Sequence, residues 1–336
     1  MRPYAHGDGW VVVHADCLEA MEAMDPASVD CILSDPPYYR VKGEPWDRQW
    51  SRPEKFLAWL DRVSDAWKRV LAPMGTLYCF ASPRMATRVD VMLADRWDVL
   101  SHIRWEKPTG RHKRQRKADM RAYWPAWEAL IMAAHQHADD RLRGQVFEAL
   151  REYLASGWAA AGLTVGDLDT ATGTHMGGHY LTARQWQLPT KERYLVMQER
   201  AGREHLPRDW EDLHAEHQQL MEQYGRERRP FHVTEDVPYT DIWRFASPGR
   251  RRAHCCQKPL PLLKHVLQVS TRPGDVVLDT FAGSGSTGMA CLELGRRFVG
   301  IEASERWCEH MADALRKING PGPRFGGILR HDEEEN

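Results

Sequence analysis

The chain has 336 residues, of which 42% are hydrophobic and 28% charged, a globular composition that suits one large core with an insertion, or two domains. The formal net charge of -1 hides an uneven distribution: residues 14 to 35 carry six acids and no Lys or Arg, whereas residues 104 to 121 carry eight Lys or Arg against two acids. No apolar run approaches the ~18 residues of a membrane span, no signal-peptide pattern opens the chain, and the seven cysteines show no metal-ligand spacing; a soluble, cytoplasmic protein without structural metal is expected.

Val11 to Val13 reads as a strand, Cys17 to Met24 as a short helix and Val29 to Leu33 as a buried strand. Glu54 to Leu71 has helical apolar spacing, Pro73-Met74-Gly75 interrupts the chain, and Thr76 to Phe80 is another strand. Two more strands, 97 to 105 and 127 to 133, bracket the basic stretch. The middle, 135 to 240, is polar and lacks buried β runs. Arg141 to Ala160 reads as one helix, Leu163 to Leu168 as the turn into a second, and a helix-turn-helix is one way to build the region. Thr182 with Gln185 fits a capping box, and Thr190 suits the N-cap of a helix to about Arg200. Trp186 is read as a core anchor of this insertion. Beyond it come a helix over Leu260 to Val269, a turn at Arg272 to Asp275, a strand over Val276 to Leu278, and a helix over Ser286 to Leu294. A strand over Arg297 to Ile301 and a helix from Ser304 to Ile318 close the pattern. Strands alternating with helices predict an α/β fold with a mostly parallel, doubly wound sheet. The Gly/Pro-rich tail from Asn319, ending in acids, is expected to be disordered.

Two loops follow buried strands. Gly283, Gly285 and Gly288 form G-x-G-x-x-G between a strand and a helix, a pattern that lets backbone approach a nucleotide-like ligand. A P-loop needs Lys-Ser/Thr after Gly288, where Met289-Ala290 stands instead. A dinucleotide site fits Glu302 as a ribose acid, but Asp279 at the loop's start would repel a pyrophosphate and suits a cationic nucleoside. S-adenosylmethionine has that chemistry. The other loop, Asp35-Pro36-Pro37-Tyr38, is stiffened by its prolines. A carboxylate and a fixed carbonyl can accept the N–H bonds of an exocyclic base amine, and a ring can stack on the base. A base in a duplex reaches such a pocket only by flipping out.

Together these motifs resemble the β-type (permuted) DNA amino-methyltransferases of phage, prophage and restriction-modification systems, with the catalytic motif first and the cofactor motif last. The resemblance implies a Rossmann-like S-adenosylmethionine-dependent methyltransferase fold carrying a mostly helical target-recognition domain over 135–240. The catalytic domain is then split into 1–134 and 241–318, with 319–336 as tail. It also implies that Asp35, Pro36, Pro37 and Tyr38 are catalytic. Asp16 and Cys17 in the adenine loop, and Lys258 in a Gln-Lys-Pro segment, join the cofactor site. Asp279, Phe281, Ala282, Gly283, Ser284, Gly285, Ser286, Thr287 and Glu302 complete it, and a side chain at Gly285 would crowd the cofactor. The segment before Gln257, Ala253-His254-Cys255-Cys256, departs from the family pattern.

The expected activity is methyl transfer to adenine N6 in double-stranded DNA, with cytosine N4 as the alternative. An NAD-type oxidoreductase or an inactive DNA-binding protein is more distant, and a cytosine-C5 enzyme lacks its Pro-Cys nucleophile here. Arg111, Lys113, Arg114, Arg116 and Lys117 are expected to track DNA phosphates. The resemblance allows a homodimer and implies no membrane partner.

Overall fold

The computed structural model describes residues 2–107, 121–123, 125–183, 185–233, 239–247 and 257–318. The chain forms two compact units, one from 1–136 with 229–336 and the other from 137–228.

The first unit is built on a nine-stranded sheet among the described residues. In chain order the strands are β1 (Ala5–Gly7), β2 (Trp10–His14), β3 (Val29–Ser34), β4 (Leu71–Ala81), β5 (Trp97–Glu106), β6 (Trp127–His135), β7 (Ile242–Arg244), β8 (Val276–Asp279) and β9 (Arg297–Glu302). Their order across the sheet is β1-β2-β9-β8-β3-β4-β6-β5-β7. The run from β2 through β9, β8 and β3 to β4 is parallel, whereas β6 pairs antiparallel with both β4 and β5. Central strands buried on both faces need continuous apolar runs. Cys31-Ile32-Leu33 and Val276-Val277-Leu278 supply them, each residue at most 2% exposed.

Side chains alternate across the strands and feed two cores. Ile32, Leu77, Leu278 and Val299 join the helices Cys17–Glu22, Pro53–Val70 and Ala86–Ala94. Cys31, Leu33, Tyr78, Val277 and Phe298 join the helices Leu260–Ser270, Ser286–Glu293 and Glu305–Arg316. The Pro53–Val70 helix buries Phe56, Leu60, Val63, Trp67 and Val70, one face at helical spacing. Each such side chain contributes roughly 1.5–3 kcal/mol by leaving water. The Pro73-Met74-Gly75 interruption lies inside β4 as an irregularity. The register passes from Val29–Leu71 directly to Cys31–Thr76.

Three strand details lie outside the sequence pattern. β1 folds back on β2 as an antiparallel partner, and β9 runs on through Glu302. β7 pairs in parallel with β5, fastened where Trp105 Nε1 donates to the Phe245 carbonyl at 2.8 Å.

The second unit is helical: Ala138–Val146, Glu148–Ala160, Val165–Thr172, Gly177–Leu181, Lys191–Ala201 and Trp210–Glu227. The single helix expected over Arg141 to Ala160 is broken at Phe147. That residue leaves helical geometry to bury its ring against Trp186, with centroids 5.5 Å apart. Trp186 is 2% exposed, and its indole donates to the Tyr180 carbonyl, so it anchors this unit's core. The capping box expected for Thr182 and Gln185 does not form. Thr182 instead ends the Gly177–Leu181 helix, its hydroxyl donating to the Gly178 carbonyl, and Gln185 takes a positive φ of 55°. A true capping box joins Thr164 and Asp167 at the start of Val165–Thr172. Thr190 and Ser304 occupy N-cap positions without side-chain caps.

Candidate active site

The two motif loops leave neighbouring strands. β3 pairs in parallel with β8, with Cys31 opposite Val277 and Ile32 opposite Leu278. From β3 the chain proceeds to β4 on one side, and from β8 to β9 on the other, so the crevice between β3 and β8 is where the winding reverses. Ligands of doubly wound sheets bind at the carboxyl ends there. A buried clasp ties the two ends together. Ser34 and Thr280 share a hydroxyl hydrogen bond of 2.7 Å, and Trp67 Nε1 donates to Thr280 Oγ1 at 3.1 Å.

The loop after β3 turns sharply, with Tyr39 and Arg40 both at positive φ. Asp47, fully buried, holds this turn by accepting from the backbone N–H groups of Tyr38 (2.7 Å) and Lys42. A carboxylate satisfied by two N–H donors in the interior is a strong internal tie. Pro36 and Pro37 keep the stretch between Asp35 and Tyr38 rigid.

Asp35 and Lys258 form a close ion pair through Asp35 Oδ2. The other carboxylate oxygen, Oδ1, is buried with no hydrogen-bond partner, an acceptor without a donor. Lys258 also donates to the Tyr38 hydroxyl at 3.1 Å and lies over the Tyr38 and Phe80 rings. The Tyr38 hydroxyl in turn donates to Glu128 Oε2 at 3.1 Å, and Glu128 pairs with Lys107. Burial, then the Asp35 and Glu128 carboxylates, push the Tyr38 phenol well above its ordinary range, so it stays protonated.

The glycine loop leaves β8 at Asp279, which is 4% exposed. Its two oxygens accept from Phe281 N (3.1 Å) and Thr287 Oγ1 (2.7 Å). Burial raises its carboxyl to about 7 despite those bonds, and Asp35 and Glu302 push the same way. Glu302, ending β9, accepts from Gly283 N (2.9 Å) and Ser304 N (2.8 Å) and is raised by burial. Gly283 and Gly285 both have positive φ. Ala282, Ser284, Ser286 and Thr287 are buried around the loop, while Phe281 is partly exposed and contacts Trp59, ring centroids 5.7 Å apart.

A side chain at Gly285 would meet the protein itself. A Cβ would lie 2.7 Å from Met311 Cγ, in the helix behind the loop, so that glycine serves the fold. Lys258, expected with the cofactor residues, contacts Asp35 and the Tyr38 hydroxyl. Asp16 caps the Cys17–Glu22 helix by accepting from Leu18 N at 2.9 Å, and Cys17 is buried in the core. Asp16 still sits at the carboxyl end of the β2–β9 pair, where Ala15 N donates to the Glu302 carbonyl. Arg111, Lys113, Arg114, Arg116 and Lys117, the 253–256 segment and the tail from Asn319 lie outside the described residues.

Glu128 and Asp47 contact Tyr38, and Lys107 pairs with Glu128, yet the three carry no motif. Glu128 had a faint signal: it is the one charge in the otherwise apolar run 127–134.

Three carboxylates, Asp35, Asp279 and Glu302, thus act on one crevice that also holds a glycine loop and an acceptor oxygen lacking a donor. That arrangement disfavours a pyrophosphate and fits a cationic nucleoside such as S-adenosylmethionine. Fold and crevice together define an α/β protein of the nucleoside-binding class.

Within that class the chain belongs to the N6/N4 DNA methylase family, whose sequence profile matches residues 29–313. It is a DNA methyltransferase, and its methyl donor is S-adenosylmethionine. The DNA adenine methyltransferase YhdJ of Escherichia coli (strain K12) is 23% identical over 313 residues, covering 92% of this chain and 82% of that protein. The type II methyltransferase M.HinfI of Haemophilus influenzae is 42% identical over 101 residues, 27% of this chain and 28% of its own. Among solved structures, the cytosine-N4-specific PvuII DNA methyltransferase superposes with a TM-score of 0.55 at 12% identity, covering 94% of this chain and 89% of that one. M1.HpyAVI gives 0.51 at 19% identity, covering 92% and 100%. Both are likenesses of fold. No helix among the described residues is long and apolar enough to cross a membrane.

Proposed function

We propose that this enzyme methylates the exocyclic N6 of a flipped-out adenine in double-stranded DNA. The observation that carries the reading is the buried, donorless Asp35 Oδ1 beside the glycine loop at the winding reversal. When bound, S-adenosylmethionine supplies a methyl group on a positively charged sulfur. Phe281 to Thr287 would hold it, with Asp279 and Glu302 balancing its charge and Asp16 at the neighbouring strand end.

The chain's own part is positioning. An amine conjugated to a purine ring is a poor nucleophile. Asp35 Oδ1 would accept one of its N–H bonds and the Pro36 carbonyl the other, favouring the geometry in which the lone pair is free to react. Lys258 pairs with Oδ2, which leaves Oδ1 as the oxygen that would accept. Tyr38 would stack on the base. The basic residues from Arg111 to Lys117 would follow the phosphates, and the helical unit 137–228 would read the sequence through base-edge contacts. A cytoplasmic enzyme of restriction-modification type suits this activity.

Adenine is favoured over cytosine by the Asp at the first position of the Asp-Pro-Pro-Tyr loop and by the adenine methyltransferase relative of E. coli. Cytosine N4 poses the same chemical problem, and the PvuII enzyme shows that the fold serves it too. Nucleoside mass spectrometry of DNA methylated by the purified protein decides: N6-methyladenine is expected, and N4-methylcytosine alone would reverse the assignment.

A further inference from the structure

Glu128 lies on β6, an antiparallel strand that bears none of the motif residues. Its side chain is 17% exposed and sits among three polar partners. The Tyr38 hydroxyl donates to Oε2 at 3.1 Å, the Lys107 ammonium pairs with Oε1, and the Lys258 ammonium is 3.7 Å from Oε2. Burial alone would raise its carboxyl, but Lys258 and Lys107 outweigh burial and hold it below the usual range, so it is an anion. A largely enclosed anion with its counter-ions is seldom the cheapest way to fill such a position, since apolar residues of similar volume often serve stability as well or better. Its placement therefore asks for a reason beyond packing.

The reason is visible at Tyr38. Its backbone N–H is held by Asp47, and its phenol is held at the far end, accepting from Lys258 and donating to Glu128. A ring that offered only an apolar face would need no anchor at the hydroxyl. Moreover, both Asp35 and Glu128 act on that phenol. With Glu128 as its acceptor, the phenol proton does not compete for Asp35 Oδ1, which stays without a donor.

We propose that Glu128 is a positioning residue of the methyl transfer: by accepting the Tyr38 hydroxyl it orients the ring against which the base lies and leaves Asp35 open to the acceptor amine. The inference rests on the role given above to Tyr38 as the base platform.

Single-turnover transfer of labelled methyl groups to unmethylated genomic DNA tests it, with S-adenosylhomocysteine binding measured alongside. Glu128→Ala and Tyr38→Phe should each slow transfer about 10- to 100-fold while cofactor-product affinity stays unchanged, because a ring misplaced by even ~1 Å costs that much. Because both remove the Tyr38–Glu128 hydrogen bond, the losses should not multiply in the double variant. Glu128→Gln, whose amide oxygen still accepts the phenol, should restore most of the rate lost in Glu128→Ala. A wild-type rate for Glu128→Ala, or losses that multiply in the double variant, would overturn the inference. Should Glu128→Ala fail to fold, Tyr38→Phe removes the same bond without opening a space, and a wild-type rate there overturns it equally. Tyr38→Ala separates the two readings. Full activity in Tyr38→Ala would sink the platform role itself, whereas its loss with an unaffected Glu128→Ala would sink only the role of Glu128.

Discussion

Asp35 and Asp279 are both carboxylates at strand ends, yet their surroundings give them different work. Lys258 sits against Asp35, while Asp279 is buried and is raised to about 7. Asp35→Ala removes an acceptor aimed at the amine and nothing that holds the donor. Methyl transfer should fall by about 10²-fold or more, with S-adenosylhomocysteine affinity unchanged by calorimetry. Asp279 makes a pH prediction. Its folded-state carboxyl is raised, so the stability it contributes is fully present below the ordinary value of 3.8, declines as pH rises from there, and is gone once pH has passed through about 7. A ligand ammonium reverses the preference, because it needs the anion. Affinity for S-adenosylhomocysteine should therefore weaken below pH 7, by up to about tenfold per unit, and Asp279→Asn should flatten that dependence. An equally steep profile in Asp279→Asn would assign the titration elsewhere.

At the scale of elements, the loop from Asp35 to Arg48 is shaped by one buried side chain. Asp47 lies nine residues beyond the motif, and its two accepted N–H bonds are what fold the loop back after Tyr38. Asp47→Ala should strand those donors, at roughly 1–3 kcal/mol for each buried group left unsatisfied. The sheet is held by other contacts, so the global fold should persist. Limited proteolysis between residues 40 and 48 should quicken and methyl transfer should drop. Unchanged cleavage would mean that the prolines alone hold the loop. Element boundaries teach a related lesson. Arg141 to Ala160 has the composition of one helix, yet Phe147 leaves helical geometry as its ring packs against Trp186.

For the whole molecule, the division into a sheet unit and a helical unit suggests separable tasks. The helical unit has its own core around Phe147, Leu154, Trp158, Tyr180, Trp186 and Tyr194. Replacing residues 137–228 with the corresponding segment of a relative should move the methylated sequence, read by methylation-sensitive sequencing, while donor affinity is retained. A folded chimera that keeps the original target sequence would place recognition elsewhere.

The central strands, the flanking helices and the two motif loops are legible along the chain, because apolar period, proline and glycine act over a few residues. The sequence also marked the chemistry, since Asp35, Tyr38 and the glycine loop lie in contiguous motifs that resemble a family. The short strands β1 and β7 escaped it, for a strand of three residues has too few positions to show a period. So did Glu128, Lys107 and Asp47: their meaning lies in partners distant along the chain, as when Glu128 meets Tyr38 across 90 positions. Only the folded sheet brought Ser34 to Thr280 and Lys258 to Asp35, across 246 and 223 residues, because strand order and register are settled by packing rather than by local preference.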